Sequence, residues 1–130
     1  MILTFNEFIK KYKLKNKATS NIKIYQVLSS LKLNDVGICL RDRSFSSDIG
    51  IVNLHPSKWT HWVLYINENY IDSYACAPPK KLSKFIIKRN GFCLCSEYKI
   101  QGLTNKRDSY CASYCLYIVC LLYKNISNRL

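Results

Sequence analysis

The stretch that most constrains this fold is Ser109-Tyr110-Cys111-Ala112-Ser113-Tyr114-Cys115-Leu116-Tyr117-Ile118-Val119-Cys120-Leu121-Leu122-Tyr123, near the end of the 130-residue chain. It is apolar on nearly every helical face. A helix here needs cover all round, which the interior of a domain supplies. Asp108 and Ser109, closing the polar loop before it, are both good N-cap residues. Cys111 then falls in the first turn, where backbone N–H groups lack intrahelical acceptors and the positive end of the helix dipole favours a thiolate. A nucleophilic cysteine is expected in such a place. The run is too short to span a bilayer, which takes about 20 residues, so no membrane partner is expected.

The rest of the chain must supply the cover and the chemical partners. Thr4 and Glu7 have capping-box spacing, and Phe5, Phe8, Ile9 and Tyr12 follow at helical spacing, so residues 5–13 read as a short amphipathic helix. Ser20 or Asn21 caps a second helix striped by Ile24, Leu28 and Leu31, and Asn34-Asp35 breaks it. Strand patterns then begin: Val36 to Leu40, Gly50 to Leu54, Thr60 to Ile66 and, after a turn at Asn67-Glu68-Asn69, Tyr70 to Tyr74. Lys80 to Lys88 reads as a helix and Phe92 to Ile100 as a further strand. Helices first, strands in the middle and a buried helix last predict an α+β domain. Its central, mostly antiparallel sheet packs on the C-terminal helix.

With no internal repeat and no linker, residues 1–130 form one domain. The seven cysteines are an odd number and the N-terminus lacks the apolar core of a secretion signal. A reducing, non-secretory setting with mostly free thiols is expected. Lys and Arg outnumber Asp and Glu by 20 to 8, a net charge of +12, which suggests a polyanion such as DNA; a Lys-rich solvated surface is the plainer reading.

A cysteine nucleophile needs a base, and the base needs a group to orient it. The chain has two histidines. His55 precedes a proline in a turn and reads as a surface residue. His61 begins the strongest strand, between Thr60 and Trp62; the plain alternative is a half-buried strand histidine. If the following hairpin has an even-numbered loop, His61 and Asp72 share a face as cross-strand or diagonal neighbours within side-chain reach. An odd loop would separate them. Asp72 satisfied at a strand end is the alternative. Gln101, where a strand meets the loop to Cys111, could donate to an oxyanion beside the Cys111 N–H, though a solvated loop glutamine is the simpler reading. Cys93/Cys95 and Cys111/Cys115 both miss the usual zinc spacing, so no metal is expected, and Cys115 and Cys120 read as core.

Taken together, Gly50-Ile51-Val52-Asn53-Leu54, Thr60-His61-Trp62-Val63, Ile71-Asp72-Ser73-Tyr74 with Pro78-Pro79, Ile100-Gln101 and Cys111-Ala112-Ser113-Tyr114-Cys115-Leu116-Tyr117 resemble the adenovirus-type cysteine proteases. They are most like the forms carried by Polinton/Maverick elements, virophages and related DNA viruses. Leu40-Arg41-Asp42 resembles the segment before the family's first catalytic strand, so the likeness spans about residues 22–123. It implies a papain-like α+β fold related to the SUMO-specific proteases. It assigns His61 as general base, Asp72 as its orienting acid, Gln101 as oxyanion-hole donor and Cys111 as nucleophile, with Cys115 as the family's second, non-catalytic helix cysteine. It implies cleavage of virion precursor proteins, often after small residues, in the virion and infected cell. No cofactor is needed for the chemistry, and DNA or an activating peptide are the stimulators the family suggests. The chain departs from the pattern at Ala112, where the family usually has glycine; a Cβ there requires negative φ. The loop from Gln101 to Cys111 is longer, and the whole chain shorter, than the adenovirus enzyme. The same catalytic groups would suit a deconjugating peptidase for ubiquitin-like proteins. A catalytically silent DNA-binding or virion protein and a zinc-stabilised binding module are the non-enzymatic alternatives.

Overall fold

The computed structural model describes residues 2–17, 19–40, 47–54, 61–66, 69–71, 80–90, 94–95 and 110–127. Helix α1 (Phe5–Lys11) starts at the capping box: the Thr4 N–H donates to Glu7 Oε1 at 2.9 Å, and the Glu7 N–H to Thr4 Oγ1 at 3.2 Å. Helix α2 (Asn21–Ser30) starts at Ser20, whose hydroxyl accepts from the Lys23 N–H at 3.1 Å. Both helices stop the same way. Lys13 (φ 55°) follows α1 and Lys32 (φ 60°) follows α2, each in the left-handed region. The paired bonds Lys13 N–H to Lys10 O, Leu14 N–H to Ile9 O, Lys32 N–H to Ser29 O and Leu33 N–H to Leu28 O close two Schellman motifs. The next residues, Leu14 and Leu33, are buried in the core. The end of α2 therefore comes before the Asn34-Asp35 breaker, at Lys32.

Strands β1 (Gly37–Leu40), β2 (Ile49–Asn53), β3 (Trp62–Ile66), β4 (Asn69–Ile71) and β5 (Leu94–Cys95) form one sheet in sequence order. The ladders β2–β3 and β3–β4 are antiparallel, whereas β1–β2 and β4–β5 are parallel. The sheet is thus mixed, not mostly antiparallel. For β4–β5 the cause is the helix between them, α3 (Lys80–Asn90), which makes a crossover connection and brings the chain back in the same direction.

Side chains alternate across the sheet and feed two cores. Ile51, Trp62 and Leu64 face one side, with Phe8 of α1, Ile24, Val27 and Leu28 of α2, and Ala112, Cys115, Leu116 and Val119 of α4 (Cys111–Ser127). Val52, Val63, Tyr65 and Tyr70 face the other, with Leu82 and Phe85 of α3. The result is an α+β domain with helices on both sheet faces. Helix α4 is only partly enclosed: Cys111, Ala112, Ser113, Cys115, Leu116, Val119 and Cys120 are buried, Tyr114, Tyr117, Ile118, Leu121 and Tyr123 half-buried and Leu122 exposed, so the cover expected on every face is incomplete. No helix among the described residues is long and apolar enough to cross a membrane.

Candidate active site

The Tyr114 N–H donates to Tyr110 O at 2.9 Å, and α4 begins at Cys111. Tyr110 therefore holds the N-cap position, in place of Asp108 or Ser109, the two caps expected from sequence. Cys111 is the first helical residue. Its Sγ accepts from the Trp62 N–H at 3.4 Å, and one turn later Cys115 Sγ donates to Trp62 O at 3.5 Å. The sheet explains why Trp62 receives both. The Leu54 N–H donates to His61 O at 2.8 Å, so His61 turns its peptide groups toward β2. Alternation turns those of Trp62 toward the opposite edge. On that edge the described pairs with β4 run from Ile66↔Asn69 to Leu64↔Ile71. Toward that edge, the Trp62 peptide groups meet two thiols of α4.

His61 is half-buried and directly precedes this contact. Its Cα is two bonds from the Trp62 nitrogen, so its backbone lies within about 6 Å of Cys111 Sγ. The structure thus brings positions 61 and 111 together from opposite halves of the chain. Asp72, Gln101 and His55 lie outside the described residues. The hairpin itself meets the condition set for Asp72. Ile66 pairs with Asn69, so an even number of residues, two, separates the paired strand ends.

Ala112 takes its place in α4 without backbone strain. It is helical, outside the two non-glycine positive-φ positions among the described residues, and fully buried in the core. Its methyl group points into the domain interior. Trp62 is 2% exposed, and its Nε1–H donates to Thr19 O at 3.0 Å. It packs in the core and does not line a surface groove. Cys115 and Cys120 are buried in the same core. Cys111 itself retains 6% of its surface.

Sequence reasoning missed two supports of this corner. Thr19 acts through its backbone carbonyl, which leaves no signal in residue type. Phe5 packs on the entrance of α4: its ring is stacked on Tyr114 at 4.5 Å and meets Tyr110 and Tyr117 edge-on at 5.9 and 5.5 Å. The aromatic spacing of Tyr110, Tyr114 and Tyr117 was the available clue. No family model, curated protein or solved structure matches the chain.

Proposed function

We propose that the chain is a cysteine endopeptidase that cleaves precursor proteins during virion maturation in a DNA virus or virus-like element. The observation that carries this reading is Cys111 at the first position of α4, with its sulfur against the peptide that follows His61. In this mechanism His61 takes the thiol proton, giving a thiolate–imidazolium pair that the helix N-terminus favours. The thiolate attacks the scissile carbonyl carbon. The Cys111 N–H and Gln101 hold the oxyanion. His61 passes its proton to the leaving amine, then activates the water that releases the acyl group. Asp72 fixes the imidazole tautomer.

The test is labelling with a peptide vinyl sulfone, located by mass spectrometry. Adduct at Cys111 alone, lost in His61→Ala, is the expected outcome. In a peptide-cleavage assay, Cys111→Ser and His61→Ala should each lower kcat/KM by about 1,000-fold or more. Uniform labelling of all seven cysteines, indifferent to His61→Ala, would reject the protease. The near-complete burial of Cys111 favours a second reading, a catalytically silent virion or DNA-binding protein that keeps the fold. Absence of any Cys111 adduct in folded protein selects it.

A further inference from the structure

A pocket of about 330 Å³ lies where the end of α1 meets the start of α2. Lys13, Lys15, Lys17, Lys23, Thr19 and Ser20 line it. Its volume is at the lower end of the range for small-ligand sites. Among the described residues no carboxylate is paired with any of the four lysines, and the first turn of α2 holds no acidic residue. Four lysine residues around one hollow, three of them exposed, give this end of the domain a positive potential that favours an anion. Backbone geometry helps to hold them there. The left-handed Lys13 ends α1 in its Schellman motif, and the Lys17 N–H to Lys15 O bond of 2.8 Å tightens the connection.

We propose that this pocket binds a compact polyphosphate and that occupancy is transmitted to Cys111. Thr19, in the pocket wall, gives its carbonyl to Trp62 Nε1–H, and the Trp62 N–H is the donor to Cys111 Sγ. One residue therefore joins the pocket to the sulfur. This transmission rests on Cys111 being the nucleophile; the binding itself does not. Free tripolyphosphate and the phosphate chain of a nucleoside triphosphate share the chemistry.

Calorimetric titration of the full chain with inorganic tripolyphosphate tests the pocket. Lys17→Glu/Lys23→Glu should weaken binding about tenfold or more. Lys80→Glu/Lys84→Glu changes the net charge equally, at exposed positions of α3 on the other sheet face, and should leave affinity nearly unchanged. Equal weakening by both pairs, or no binding to the wild type, overturns the site and leaves only a diffuse effect of net charge. Lys17→Ala/Lys23→Ala repeats the test should the reversed pair not fold. Comparison with adenosine triphosphate separates the sources: equal affinity points to free polyphosphate, tighter binding to the nucleotide. For transmission, the rate of Cys111 alkylation by iodoacetamide should change on adding tripolyphosphate. That change should vanish in Trp62→Phe, which lacks the indole donor. An unchanged wild-type rate rejects the transmission. If Cys111 does not alkylate selectively, it is the protease reading that fails, and the calorimetry still decides the pocket.

Discussion

Lys13 and Lys32 do a task usually given to glycine. An L-residue in the left-handed region costs roughly 1–2 kcal/mol, part of which glycine gives back as extra freedom in the unfolded chain. Lys32→Gly should therefore stabilise the fold by about 0.5–1 kcal/mol, seen as a higher urea midpoint at unchanged slope. Gly50 is a different case, required by space and not by φ. A Cβ there would enter the ring of Tyr65, its partner across the β2–β3 ladder, whose hydroxyl is held by Ser47 O at 3.0 Å. Gly50→Ala should cost about 1–3 kcal/mol by the same measurement. Glu7 gives a pH signature. Its hydrogen bonds with Thr4, chiefly to the backbone N–H, hold its carboxyl below the usual value of 4.5. The stabilisation is then complete above the unfolded-state pKa and is lost as pH falls through the lowered folded-state value. The difference in thermal midpoint between wild type and Glu7→Gln should accordingly disappear in acid.

At the scale of elements, α1 is the clamp on α4. Phe5 contacts three tyrosines of its entrance, and Tyr117 Oη–H donates to Leu3 O at 2.6 Å across 114 residues of sequence. Phe5→Ala should cost about 1–3 kcal/mol and speed hydrogen exchange at the amides of Tyr114 and Cys115. The helices themselves were legible, because their signals are local: Thr4 with Glu7, Ser20, and the apolar stripes behind them. The docking of α1 on α4 was not, since nothing in either segment names a partner so distant. Nor was the parallel direction of β4–β5, because alternation marks a strand but not which way its neighbour runs. In the site, the order of His61 before Cys111 could be read; the parity of the hairpin loop could not, since Asn67-Glu68-Asn69 reads as a three-residue turn while Asn69 pairs with Ile66 in the ladder. The role of Thr19 could not, because only packing decides which carbonyl the Trp62 indole finds.

For the molecule as a whole, a net charge of +12 predicts attraction to nucleic acid that fades with salt. A plot of log affinity for a single-stranded oligonucleotide against log salt should fall steeply; a flat line, or no binding at low salt, rejects DNA as a partner. This diffuse attraction differs in kind from the lysine pocket, where position and not total charge should matter. The two cores divide the domain by role. The face with α1, α2 and α4 holds Cys111, while the face with α3 closes the sheet from behind. The sulfur of Cys111 is also the acceptor for a strand amide. Replacing Cys111 by alanine to make an inert, substrate-trapping protein would therefore remove a structural bond along with the thiol. Serine keeps an acceptor at that position. The Trp62 amide, followed by exchange or NMR, reports independently of turnover whether the sulfur is in place, blocked or gone.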